Sequence, residues 1–265
     1  AGFTLRGVKF FADGALGSRG AALAAPYDDD PGNRGLWLTS PAELTGQVAD
    51  AVAGGWQVAI HAIGDAAVGA VVDAFQAALA QRPGADLRHR IEHTQVITDA
   101  DIGRMASLGI IASMQPTHAT SDMPWAEARL GPQRIRAAYA WRRLLDAGVR
   151  IAGGSDFPVE EVSPLLGVYA AVTRQDAKGE PAGGWYPDQR MSLDEALHAF
   201  TVAAASASFS EARRGRIAPG MLADLTVYDR VLAADASLLA TRIDLTMVAG
   251  RVVYRPGAGA TADLR

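Results

Sequence analysis

The chain has 265 residues, 49% of them hydrophobic and 20% charged, with a net charge of -4 and no cysteine. That length can bury one large core or a core with a small satellite, and the mild negative charge without a basic block argues against nucleic-acid or membrane partners. With no thiols there are no disulfides, and any metal must be held by His, carboxylate or a modified Lys.

No apolar run reaches the roughly 18 residues needed to span a bilayer. Ala1 stands where an initiator methionine is expected and a strand-like stretch follows closely, which reads as a processed or cut terminus. "GVKFFA" (7–12) predicts a first strand, followed by a Gly/Asp/Pro-rich loop to about residue 39. "TSPAEL" starts a helix, with Ser40 as N-cap, Pro41 at the first position and Glu43 completing the cap. "QVAIHAI" is the second strand, and a helix runs from Asp65 to about Arg82. "RHRIEHTQ" (88–95) is the third, with Thr98 or Asp99 capping the next helix. "IIASMQP" (110–116) is the fourth, leading into a long loop and a helix over about 132–147; "VRIAGGSD" (149–156) is the fifth, with a helix from Ser163. Strands apolar on both faces that alternate with helices predict an α/β barrel or a doubly wound parallel sheet. After about residue 190 an amphipathic helix capped by Ser192 and Glu195 gives way to short β-segments, with a tight hairpin at Ala249-Gly250. No G-x-G-x-x-G or Walker A loop follows a strand, which counts against nucleotide binding.

Four of the five predicted strands carry a potential metal ligand near the C-terminal end: Lys9, His61, His93 and Asp156. In parallel α/β barrels this is the functional rim. Each residue alone has a plainer reading: a hydrogen-bonded structural His, a Lys emerging beside a loop, an Asp capping a turn. Together on one rim, two imidazoles, an amine and a carboxylate need a shared partner, because burying them unpaired costs several kcal/mol each (roughly). A divalent cation, zinc or similar, is such a partner. Desolvation depresses a lysine pKa, and the neutral amine can then take up carbon dioxide as a carbamate able to bridge two metals. His89 and His198 read as structural or surface residues, whereas His118 lies in a loop over the same rim.

The stretches "VKFFADGALGSRGAAL" (8–23), "HAIGD" (61–65), "RIEHTQ" (90–95), "SMQPTHATSDMPWAEARLG" (113–131), "GGSDFPVE" (153–160) and "GRIAPGMLADLTVYD" (215–229) resemble the amidohydrolase superfamily, in its YtcJ-like, amidohydrolase type 3 branch related to N-substituted formamide deformylases. The resemblance implies a metal-dependent (β/α)8-barrel hydrolase of the TIM type, here with strands 4–8 only (residues 1–210), plus the C-terminal part of a small β-sandwich (211–265). It makes Lys9 a carboxylated lysine that ligates metal, His61 and His93 ligands, and Asp156 both ligand and proton handler for the attacking water. The His-x-His pair such enzymes carry on their first strand is absent before Lys9. The chain is therefore expected to be the C-terminal half of a longer polypeptide, needing the missing N-terminal segment or a homo-oligomer to cover its barrel edges. The expected reaction is hydrolysis of an amide-type C–N bond in a small molecule, with one or two metal ions; a non-catalytic metal-binding or assembly module is the alternative. Asp13 and Arg19 in the first loop, and His118, Asp122 and Trp125 in the fourth, are expected to shape the substrate pocket.

Overall fold

The computed structural model describes residues 3–257. Five strands form one parallel sheet in chain order: β1 (Gly7–Phe11), β2 (Gln57–Ala62), β3 (Arg90–His93), β4 (Ile111–Met114) and β5 (Ile151–Gly153). Consecutive parallel strands require crossovers, and these are α1 (Pro41–Ala53), α2 (Asp65–Ala80), α3 (Asp99–Leu108), then α4 (Pro116–Arg134) with α5 (Trp141–Asp146). After β5 come α6 (Pro164–Thr173) and α7 (Leu193–His198), the latter continuing through a π-helical turn into α8 (Ala204–Ala207).

Local chemistry explains the boundaries. Ser40 and Ser192 each form a reciprocal capping box, with Glu43 and Glu195. Thr98 accepts from the amide of Asp101 and caps α3, which stops at Gly109 in the left-handed region where a side chain would be strained. Residues 116–131 correct the sequence reading, which made them a loop. Pro116 sits in the first turn, where its missing N–H costs nothing, and Ala119, Ala126 and Leu130 bury one face. The helix breaks only at Gly131, whose non-helical backbone admits Pro132.

The register gives the sheet unlike faces, correcting in part the expectation of strands apolar on both: the second face buries Ala59, Ile111 and Ala152 but is polar elsewhere. Val58, Ile60, Ala62, Ile91, Ala112 and Met114 are buried in the core. Burying each large one is worth about 1.5–3 kcal/mol. The opposite face carries Lys9 level with Ala59 and Arg90, then Phe11 level with His61 and Glu92. Arg90 and Glu92, neighbours along that face of β3, pair at 2.5 Å. β1 and β5 each pair on one side only, so the sheet has two open edges among the described residues.

A second, antiparallel sheet comprises β6 (Leu225–Tyr228), β7 (Ile243–Val248) and β8 (Arg251–Tyr254). Its β7–β8 hairpin turns on Ala249 and Gly250, both at positive φ, as the twist of a two-residue hairpin demands. The outer ends of the two segments expected at 1–210 and 211–265 lie outside the described residues.

Candidate metal centre

Three imidazoles stand in a row where β2 and β3 end and α4 begins. The His61 and His93 rings are 4.6 Å apart between centroids and meet edge to face, and His118 stacks on the far side of His93 at 5.7 Å. His118 lies in the first turns of α4 rather than in a loop. Its Nε2 is 3.9 Å from Oδ2 of Asp156, which lies three residues beyond the end of β5. Lys9 rises from the second level of β1, its Nζ 5.1 Å from the centre of the Phe11 ring, and that ring lies 5.6 Å from His61.

Strand parity alone would turn His93 toward the helices, since its register partner is the buried Ala62. At His93 and Thr94 the backbone has φ of 77° and 47°, and Asp156 has φ of 58°. Non-glycine residues in this region are strained, and such strain persists where the surroundings over-determine it. The strand therefore ends by swinging the His93 ring toward His61.

The protonation states follow from burial. Desolvation, reinforced by His93 and Lys9, lowers the His61 pKa to about 4 against a weaker upward pull from Asp156. Desolvation likewise lowers His93 and His118. Lys9 is exposed along much of its length, yet desolvation depresses its ammonium, opposed by Glu92 and Asp156. All four groups are thus driven toward the neutral, lone-pair-bearing form that binds a cation. Nδ1 of His93 lies 2.9 Å from Oε1 of Gln115. Donation to that oxygen puts the ring proton on Nδ1 and leaves the Nε2 lone pair free, the usual way an outer residue orients a ligating His.

Nε2 of His61 and Nε2 of His118 are buried without a hydrogen-bond partner. Such atoms are costly unless something binds them. Against that, no three His, Asp or Glu side chains among the described residues gather closely enough to hold a metal ion by themselves. Lys9 would add to this donor set as a neutral amine, or as an anionic oxygen donor once carboxylated.

The predicted pocket residues divide. Asp13 is fully buried and is not a pocket wall: its carboxylate accepts from the backbone amides of Ala22, Ile63 and Gly64 at 2.8–3.0 Å, bracketing the first loop to the β2–α2 turn. Its Oδ1 lies 3.6 Å from His61 Nε2. Burial pushes the Asp13 carboxyl up to about 7, against the pull of those amides. Arg19 makes a two-pronged pair with Asp29, which also binds Arg129. The Arg129 guanidinium lies 5.7 Å from the centre of the Trp125 ring, and Trp125 packs beside Gly17. Arg19 and Trp125 therefore contribute to a seam between the first loop and α4. Asp122 faces Tyr139 and Gln95. His89 accepts from the Val58 amide and stacks on Phe75 at the opposite end of the sheet, and His198 is exposed. Sequence reasoning passed over Gln115 and Gln95; their signal was only that each is a polar residue just past a strand end.

Comparison with known proteins identifies the family. The Amidohydrolase family model matches residues 1–254. The YtcJ protein of Bacillus subtilis (strain 168) is 37% identical over 250 residues, covering 93% of this chain and 46% of that protein. The N-substituted formamide deformylase of Arthrobacter pascens is 32% identical over 260 residues, covering 95% and 46%. A crystal structure of an uncharacterized metal-dependent hydrolase from Pyrococcus horikoshii OT3 superposes with a TM-score of 0.72 at 34% identity, covering 82% of this chain and 43% of that one. The chain spans about half the length of the curated relatives it matches. The chain belongs to the amidohydrolase family.

Proposed function

We propose that the chain supplies most of the metal centre of a hydrolase that cleaves an amide-type C–N bond in a small molecule. The observation that carries this reading is the meeting of two imidazoles, His61 and His93, at 4.6 Å, with a buried His61 nitrogen that has no hydrogen-bond partner. Lys9, His61, His93 and Asp156 would hold one or two divalent ions, zinc being the natural fit to nitrogen and carboxylate donors. A bound ion would supply a Lewis acid that polarises the substrate carbonyl and acidifies water. Asp156, 40% exposed at its side chain and anchored on a strained turn, takes a proton from water and delivers it to the leaving amine. His118, whose Nε2 lies 3.9 Å from Asp156, would hydrogen-bond the substrate. Carboxylation of Lys9 joins its neutral amine nitrogen to the carbon of carbon dioxide with release of a proton, and turns a poor ligand into an anionic one.

The five parallel strands support a reading as strands 4–8 of a (β/α)8 barrel, with the antiparallel sheet as part of a small sandwich. A further N-terminal segment or a second copy would then cover the edges of β1 and β5. Those open edges, and the shortage of carboxylate and imidazole ligands, favour the one competing reading: a metal-binding or assembly module without turnover. Metal analysis of the purified chain, followed by assay on N-formyl and N-acyl amines with and without the N-terminal half of a longer relative, separates the two. The hydrolase reading predicts stoichiometric metal and turnover that is lost in Asp156→Asn. Tight metal with no turnover under either condition selects the module, and no metal at all sinks both.

A further inference from the structure

The contact between α4 and the end of β3 contains more polar structure than the imidazole row uses. Asp122 lies one helical turn beyond His118, so both project from one side of α4. Its Oδ2 accepts from the Tyr139 hydroxyl at 2.5 Å and from Gln95 Nε2 at 2.7 Å, and Gln95 Nε2 lies 2.8 Å from the same hydroxyl. These three side chains close a triangle in the interior, where Gln95 and Tyr139 are 4% and 1% exposed. Desolvation raises the Asp122 carboxyl to about 6, against both hydrogen bonds.

The triangle is itself anchored. The Tyr139 amide donates to the Gln95 carbonyl at 2.7 Å, with Tyr139 in the left-handed region at φ 49°. The Tyr139 carbonyl accepts from Arg174, whose guanidinium is buried between Trp141 and Trp185 and also donates to the Trp185 carbonyl. On the other side, Gln95 lies two residues beyond His93. The path from Arg174 to Tyr139 to Asp122 therefore ends on the helix that carries His118, while Gln95 ties it to the strand that carries His93. A carboxylate whose one oxygen is taken up by two nearly buried side chains has a mechanical use.

We infer that Asp122 is a positioning residue, which locks α4 to the end of β3 through Gln95 and Tyr139 and so holds the His118 imidazole against His93 and beside Asp156. Its consequence for the reaction rests on the metal-centre reading; its mechanical content does not. With this bracket cut, the first turns of α4 keep the Gln115 contact to His93, the Ser121–Glu160 hydrogen bond and the packing of Pro116 and Ala119, but lose their polar tie to the segment that follows β3, and the His118 ring leaves the row.

The chain has five histidines, which makes imidazole NMR a direct readout. In the wild-type chain a cross-peak between ring protons of His93 and His118 is expected. Asp122→Ala abolishes it and shifts the His118 ring nitrogens, while His89 and His198 keep their positions. Asp122→Asn restores it, because the amide oxygen can accept the same two hydrogen bonds. A cross-peak that survives in Asp122→Ala, or an Asn variant as defective as the Ala variant, overturns the inference. If Asp122→Ala fails to fold, Tyr139→Phe decides: it removes one side of the triangle at nearly constant volume and must weaken the cross-peak, and an undiminished one refutes the bracket. Zinc added to the same samples tests the metal reading separately, since His61 and His93 signals indifferent to zinc end that reading and leave the bracket intact.

Discussion

Replacing Asp13 with alanine tests whether that carboxylate is a bracket or a pocket wall. The side chain is fully buried and accepts three backbone N–H groups, from Ala22, Ile63 and Gly64. A buried donor stripped of its partner costs about 1–3 kcal/mol, so the gross loss is about 3–9 kcal/mol. Two effects reduce it. Water entering the vacated space rebonds part of the set, and the variant no longer bears the desolvation that pushes this carboxyl up to about 7. The expected net loss is about 2–4 kcal/mol. In a chain of this size each kcal/mol moves Tm by about 2–4 °C, which gives a fall of roughly 4–16 °C. Asp13→Asn should fall between, since an amide oxygen can serve two of the three donors but its NH2 faces the third. Thermal and urea unfolding followed by circular dichroism measure both variants. A loss below about 1 kcal/mol for alanine would refute the reasoning. The pocket-wall reading predicts just that, with the damage confined to substrate.

Gly64→Ala isolates a steric requirement, because Gly64 has φ of -74°, which suits alanine, yet an added Cβ would lie 1.9 Å from the Ala22 carbonyl oxygen. The variant should lose about 2 kcal/mol or more in urea unfolding, and a neutral result would show that the first loop yields freely. Arg174→Ala removes a buried guanidinium that serves two carbonyls and fills the space between Trp141 and Trp185, and should cost about 3–5 kcal/mol by the same assay, with a quenching change in tryptophan fluorescence; unchanged Tm would refute the pin. Glu195, paired with Arg142 and closing the Ser192 cap, has its pKa lowered to about 2 from 4.5. A depressed carboxylate contributes its full stabilisation above pH 4.5 and loses it as pH falls toward 2. Glu195→Gln should therefore flatten the fall in Tm through that window, and an identical slope in both proteins would count against the pairing.

Much of the architecture was legible because it rests on local rules. Ser40 and Ser192 announce helix starts through their hydroxyls, and of the two candidates Thr98 and Asp99 the structure selects Thr98. The His at the tip of β2 was visible as a polar residue ending an apolar run, and the structure does bring it to His93. Residues 116–131 were misread because Pro124 and Pro132 carry a strong breaking signal, while the contacts that hold α4 together are tertiary. Asp13 was misplaced for a related reason. An Asp in a Gly-rich loop looks exposed, and nothing in the sequence shows three amides from distant segments converging on it. That His93 would meet His61 was expected, but the backbone twist at His93 and Thr94 that brings its ring there was hidden, since strand parity cannot express it.

The metal centre itself is tested most directly by crystals of the 265-residue chain grown with zinc, using anomalous scattering at the zinc edge. An anomalous peak within about 2.0–2.2 Å of a His61 nitrogen, His93 Nε2 and an oxygen of Asp156 or of carboxylated Lys9 is the expected result. A chain saturated with zinc that shows no peak between those side chains, or a peak only at other surface residues, would contradict the account.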